Sequence, residues 1–496
     1  MGIIIRQSIQ NTIISYLGVA LGFVSTILLF PRIVTPDQFG LIRLLISLAL
    51  VCAQFAHLGI KNIIIRYFPY FHHSDDSRSS LLTLAVLIPL IGFSLFILLS
   101  LFFKDTFISY YSDQSALFAE YYFYLFPLIF AVLFFEVFNS YIQALRDSVT
   151  GSFLNEVLMR TLIILLLVIY YFGFISFTEF MISFVVVYNL QPLYLLIYLF
   201  RKGELSLSLP FRNGKRRFIK GMGVYGAYSL LGGLATLLVG NIDIIMLGAM
   251  IDLSSSAVYA IAFYVGSVIA IPQRSISKIA VPLLAGMIKN KKYDEIESLY
   301  KRTSLNQIIA GSLLFVGIWA NMHNLMYLLP PEYDGIQWVV IIIGAAKLFG
   351  MATGVNGGII INSKYYRFDL YTNILLIFLT ITTNYLLIPP YGIVGAATAT
   401  ALSIFIYNFI KVVFVEVKFS MQPFQWNALA VLLIAAGCLL LSFQIPYLYN
   451  FFIDVIVRSL IITFIFVGLI LLFNLSDDVK GLVMKGMEWV RKVFHP

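Results

Sequence analysis

Apolar runs about as long as a bilayer is thick recur along the whole chain, each closed by a short polar interruption. Fourteen such runs are read as helices. They lie near 10–31, 39–65, 81–103, 119–145, 153–173, 177–200, 222–250, 254–286, 304–328, 336–362, 366–388, 392–415, 426–445 and 450–474. The runs lack period-2 alternation and are too long for strands. The predicted fold class is therefore all-α: a polytopic membrane protein with about 14 transmembrane helices.

The polar interruptions give this pattern a direction and an organisation. With a cytoplasmic N-terminus, the outside loops hold only Arg32, Arg43 and Lys104, and Arg160, Lys347 and Arg458 lie within spans. The remaining basic residues fall in or close to cytoplasmic segments, as the positive-inside rule requires, and an even span count puts both termini inside. The basic loop RKGELSLSLPFRNGKRRFIK separates six spans from six. The expected organisation is an N-terminal six-helix lobe (1–200), a cytoplasmic basic linker (201–221) and a C-terminal six-helix lobe (222–415). Transmembrane helices 13 and 14 follow (416–475), then an amphipathic cytoplasmic tail (476–496) at the membrane surface. Both lobes would enter the membrane in the same direction, which makes them parallel repeats. The first run is too long for the apolar region of a signal peptide and is expected to remain as a span.

Composition removes other classes. The chain of 496 residues is 60% hydrophobic and 11% charged, too little charge to cover a soluble surface. Its net charge of +9 sits in short loops rather than on a solvated basic face, so no nucleic-acid partner is expected. Cys52 and Cys438 lie far apart inside apolar runs and give neither a disulfide framework nor a metal pattern. GMGVYG (221–226) matches a dinucleotide pattern in letters only, because it opens a span with no strand before it. The five histidines show no ligand spacing beyond the adjacent His72 and His73 in a polar loop. No catalytic triad, P-loop or metal site is present in the pattern, and the loops are too short for a soluble catalytic domain. The chain is read as a transporter and not an enzyme, with no catalytic residues, no cofactor and no bound metal.

Ionisable residues at membrane depth carry the functional reading, since each costs roughly 2.5–3.5 kcal/mol without a partner or a wet cavity. Arg66, Arg160, Arg274, Lys278 and Lys347 lie between mid-membrane and the cytoplasmic end. Arg274 and Lys278 are four apart and share a helix face. Together these five would form a cationic cavity suited to a phosphate or diphosphate. Arg160 has Glu156 one turn earlier, so a local ion pair is an equal reading there. For Arg66 and Lys278, near span ends, snorkelling is the equal reading. Asp243, Thr380, Asn384 and Thr400 fall at similar depths and offer oxygen ligands for a small monovalent cation; a structural hydrogen-bond cluster is the alternative.

RIVTPDQFG (32–40) followed by FAHLGIKNIIIRYFP (55–69) resembles the N-terminal region of polysaccharide flippases, the Wzx-type transporters of the multidrug/oligosaccharidyl-lipid/polysaccharide exporter superfamily. NIDIIMLG (241–248), VYAIAFYVGSVIAIP (258–272) and YGIVGAATATALS (391–403) are similar to that family too, so the resemblance runs along the whole chain.

The resemblance implies a transporter that flips undecaprenyl-diphosphate-linked oligosaccharide units across the bacterial plasma membrane by alternating access, for O-antigen, capsule or exopolysaccharide synthesis. It implies two lobes around a cationic cavity in which Arg66, Arg274 and Lys347 bind the diphosphate. Spans 13 and 14 would add an apolar groove for the lipid tail. Arg32, Asp37 and Arg43 would belong to an outer gate. A Na+ or H+ coupling site would use Asp243, Thr380, Asn384 and Thr400, with Asn384 standing where an acidic ligand is expected. The implied partners are the lipid-linked oligosaccharide, membrane lipid, and the polymerase and chain-length machinery, with the transporter itself a monomer. The competing reading is cation-coupled multidrug efflux within the same superfamily. Its usual twelve spans and acidic N-lobe sites fit this chain less well.

Overall fold

The computed structural model describes residues 2–71, 75–112, 116–206, 216–481 and 483–485. Parts of the expected linker and tail, and the His72 and His73 pair, lie outside the described residues. Among the described residues every regular element is a helix and none is a strand. That is what a chain in hydrocarbon must do, because only a helix or a closed barrel satisfies all its backbone groups internally.

Among the described residues eleven helices are long and apolar enough to cross a membrane, or twelve if the bent pair Ile336–Ala352 and Asn356–Asn362 is one span. With the bent pair counted as one span, the difference from the expected fourteen lies in two places. Tyr366–Phe419 is one run of 54 residues that bends at Gly392, whose φ of 55° follows Pro389 and Pro390. The apolar helix Trp426–Ser442 is only 17 residues long.

Contacts divide the chain into two compact units, Met1–Ala260 and Ile261–Pro496. The first unit runs through α1 (Gly2–Phe23), α2 (Pro36–Ala56), α3 (Ile60–Phe71), α4 (Asp75–Phe102), α5 (Leu125–Ala144), α6 (Met159–Tyr171), α7 (Phe177–Arg201) and α8 (Arg216–Met250). Two starts are set by capping boxes. The Thr35 hydroxyl accepts from the Gln38 N–H while the Gln38 side chain accepts from the Thr35 N–H, and Ser176 and Glu179 do the same for α7. π-helical turns, Val24–Leu29 and Leu154–Leu158, follow α1 and precede α6. In this unit α7 and α2 both pack on α5, and α8 packs along α2. The expected lobes divide at the linker, whereas these contacts keep α8 with the helices before it.

Small residues set the closest approaches, since apolar helices in lipid gain from fit and not from leaving water. A Cβ on Gly40 would lie 1.8 Å from the Leu253 carbonyl oxygen, and one on Gly92 2.1 Å from that of Ala56. The first unit is broken between α2 and α3, where Leu58 (φ 48°) and Gly59 (φ 79°) are both left-handed.

α9 (Leu253–Ser267) carries the boundary between the units. The second unit continues through α10 (Ile271–Lys289), α11 (Tyr293–Ala320), α12 (Ile336–Ala352), α13 (Asn356–Asn362), α14 (Tyr366–Phe419), α15 (Trp426–Ser442) and α16 (Phe451–Leu472). The two arms of α14 face each other, with the Thr383 and Ser403 hydroxyls 3.1 Å apart. α15 and α16 join the unit by packing Val431, Cys438, Ile462 and Phe466 against Ile308 and Val316 of α11.

Candidate functional site

In the first unit, the basic side chains expected at depth fall into two groups. Arg66, exposed on α3, holds its guanidinium 4.2 Å from the centre of the Tyr225 ring on α8. Arg160 is paired: it donates to Glu156 at 3.0 Å and to the Gly18 carbonyl at 2.7 Å. Gly18 makes this possible, because a Cβ there would lie 2.8 Å from the Glu156 Cβ. Arg43 projects from α2 with its Nε–H buried and donating to no partner among the described residues, and it interacts electrostatically with Arg160 and Tyr188. That places Arg43 of the expected outer gate in the same electrostatic environment as Arg160 of the expected cavity. Arg32 and Asp37 are exposed on either side of the α2 N-terminus. Asp243 is buried, and the Tyr259 hydroxyl donates to its carboxylate.

In the second unit, Arg274 and Lys278 lie one turn apart on an exposed face of α10. Among the described residues no carboxylate lies within 4.0 Å of either. Lys347 of α12 sits 5.1 Å from the centre of the Phe263 ring, on the span that leads into Arg274 and Lys278. Gln273 ties α10 to α12 by donating to the Gly350 carbonyl at 3.5 Å. Thr380, Asn384 and Thr400 are all buried on the facing arms of α14. Thr380 spends its hydroxyl proton on the Leu376 carbonyl at 2.8 Å. Among the described residues no three His, Cys, Asp or Glu side chains are grouped to hold a metal.

Two charged clusters lay outside the sequence reading. Lys411 is buried near the end of α14 and donates to Asp369 at 2.6 Å, with Tyr407 and Asn373 completing the group. Glu136 of α5 accepts from Lys61 of α3 at 3.0 Å, and His57 lies beside it. Neither pair is at helical spacing, so only the fold brings them together.

Two carboxylates outside the spans are tuned by their surroundings. Arg302 first, then Asn306, hold the Asp478 carboxyl below its ordinary value of 3.8, which fastens the segment after α16 to α11. Burial pushes Asp147 up, but hydrogen bonds from Tyr198, Thr150 and Val149 outweigh it and leave that carboxyl low.

Chemically, the arrangement offers unneutralised ammonium and guanidinium groups on helix faces in an otherwise apolar chain. Such groups bind phosphate oxygens by charge-assisted hydrogen bonds. The apolar cavity of about 340 Å³ between α15 and α16, lined by Cys438, Leu441, Ile461, Ile462 and Ile465, has no such group.

Residues 4–287, more than half of the chain, match the family described as polysaccharide biosynthesis protein. A probable low-salt glycan biosynthesis flippase of Haloferax volcanii is 22% identical over 46% of this chain. A capsular polysaccharide biosynthesis protein of Staphylococcus aureus is 27% identical over 28% of it. The matched stretches cover 49% and 37% of those relatives' own lengths. Among solved structures, a lipid II flippase in an inward closed conformation superposes with a TM-score of 0.67 at 13% identity, over 94% of this chain and 100% of its own. An inward-facing multidrug resistance transporter superposes with a TM-score of 0.62 at 15% identity, over 82% of this chain and 94% of its own. These two likenesses are of fold.

Proposed function

Because the chain belongs to the polysaccharide biosynthesis protein family, we propose that it flips undecaprenyl-diphosphate-linked oligosaccharide units across the bacterial plasma membrane by alternating access. It is a multi-pass membrane protein of the superfamily that joins polysaccharide flippases and multidrug transporters. The observation that carries the substrate reading is the pair Arg274 and Lys278, with no carboxylate within 4.0 Å among the described residues, on an exposed face of a span. A cation left unneutralised at that depth is costly unless an anion or water meets it. A diphosphate linking a sugar chain to a lipid is such an anion, and it cannot cross about 30 Å of hydrocarbon unaided.

In this reading Arg66, Arg274, Lys278 and Lys347 receive the diphosphate. The lipid tail stays in the bilayer, and the apolar cavity between α15 and α16 supports a place for part of it. The protein works as a monomer with both termini cytoplasmic, drawing on a Na+ or H+ gradient. The test is binding of undecaprenyl diphosphate to the purified protein, followed by native mass spectrometry. Binding that falls roughly tenfold for each of Arg274→Gln and Lys347→Gln, the loss of about 1.4 kcal/mol of charge-assisted hydrogen bonding, supports the reading. Equal binding by all three proteins contradicts it.

A further inference from the structure

The break between α2 and α3 is built around one buried histidine. His57 is fully buried. Its Nδ1 accepts a hydrogen bond from the Gly59 N–H at 2.9 Å. That nitrogen therefore carries no proton, and the ring is held as the neutral tautomer with the proton on Nε2. The Nε2–H donates to the Gln54 carbonyl oxygen at 2.8 Å. Gln54 in turn donates to the Leu230 carbonyl of α8 at 3.4 Å.

The capped backbone is the irregular part of the span. Leu58 and Gly59 are both left-handed, and a Cβ at Gly59 would lie 2.2 Å from the Gly226 carbonyl oxygen of α8. A non-glycine residue with positive φ is uncommon and is held by its surroundings. Here the holding group is the imidazole of the residue before it.

Charge is arranged around the ring from each side. From α5, Glu136 Oε2 lies 3.9 Å from His57 Nε2. From α3, Lys61 takes the same carboxylate oxygen at 3.0 Å. Among the described residues these two are the charged groups that act on His57. α4 brings Gly92 against Ala56, and α8 brings Gly226, Ser229 and Gly233 to this region, with no ionisable side chain among those contacts. Lys61 and Glu136 keep 35% and 22% of their side-chain surface open, so the cluster has a polar way in while the ring itself has none.

We propose that His57 and Glu136 form a proton-binding site whose loading releases the backbone cap at Gly59 and so couples protonation to the shape of the α2–α3 span. The balance is simple. A proton from water binds Nδ1, the Gly59 N–H loses its acceptor, and the imidazolium takes Glu136 as counter-ion in competition with Lys61. A cap and a charge pair then change together, in a broken helix of the kind that lines transport paths. The site supplies the coupling ion of the flipping cycle proposed above. Its test needs no substrate, so the two readings stand or fall separately.

The experiment places spin labels at Ile46 and Tyr70, on either side of the break, in full-length protein with Cys52 and Cys438 replaced by alanine. The inter-label distance distribution is followed by pulsed electron paramagnetic resonance in lipid nanodiscs from about pH 8 to about pH 3.5, a window that covers the ordinary charge change of histidine and the lower range reached by buried rings. The expected result is a pH-dependent second population that disappears in His57→Gln. In Glu136→Gln its midpoint moves to lower pH, because the counter-ion is gone. A distribution that ignores pH overturns the proposal. So does a pH response that survives in His57→Gln, or a midpoint unchanged in Glu136→Gln.

Discussion

Arg160 donates to Glu156 at 3.0 Å and, with its other terminal nitrogen, to the Gly18 carbonyl at 2.7 Å, so one guanidinium joins α6, the π-helical turn before it and α1. A π-helical turn leaves a backbone carbonyl off the usual ladder and is common at functional positions. Here the contact needs a bare Cα on α1. Gly18→Ala puts a methyl 2.8 Å from the Glu156 Cβ. The expected cost is about 1–3 kcal/mol from overpacking, read as a lower melting temperature of the purified protein. Glu156→Ala in the same chain should recover much of the loss. No loss in the single variant would contradict the close approach.

Arg458 and Asp454 make a second, structural pair. Both are 2% exposed, and Arg458 also donates to the carbonyls of Ser442, Ile445 and Pro446 at the end of α15. Removing one member leaves the other buried and charged. Arg458→Met and Asp454→Asn should each destabilise by about 3–5 kcal/mol, with little recovery when combined, because the carbonyls at the α15 end stay unsatisfied. Thermal unfolding in detergent checks this. An Arg458→Met protein as stable as the parent would remove the structural role.

The docking of the segment after α16 should depend on pH. The Asp478 carboxyl is held below its ordinary value of 3.8 by Arg302 and Asn306. A lowered folded value means the contribution is complete above the ordinary value and is lost as the pH falls through the lowered one. Hydrogen exchange of residues 474–481, corrected for its intrinsic pH dependence, should stay protected at neutral pH and open below about pH 4. In Asp478→Asn the segment should be less protected at neutral pH and show no such step.

Much of this fold was legible in the chain, and the reason is physical. A span in lipid must be apolar for its whole length, so the runs and their interruptions show directly in the letters. Gly392, where α14 bends, is the first residue of the expected span 392–415, just after the gap that separates it from 366–388. The Glu156 and Arg160 pair was legible because four residues is one helical turn. The Lys411 and Asp369 pair was not, because 42 residues separate partners that meet only when the arms of α14 fold back. The break at His57 to Gly59 was hidden for a similar reason. HLG inside an apolar run reads as a continuous helix, and its left-handed pair exists because Gly226 of a distant helix presses on Gly59 and the His57 ring caps it.

In the proposed cycle, basic side chains in the spans carry a diphosphate head group across the bilayer. The most direct measurement is flipping by the purified protein in liposomes, with a fluorescent undecaprenyl-diphosphate oligosaccharide followed by its accessibility from outside. The expected result is protein-dependent flipping, slowed roughly tenfold or more in Arg274→Gln and Lys347→Gln for each charge-assisted contact of about 1.4 kcal/mol lost. No flipping across several glycans, alongside ion-driven export of cationic dyes by the same liposomes, would contradict it and assign the chain to drug efflux.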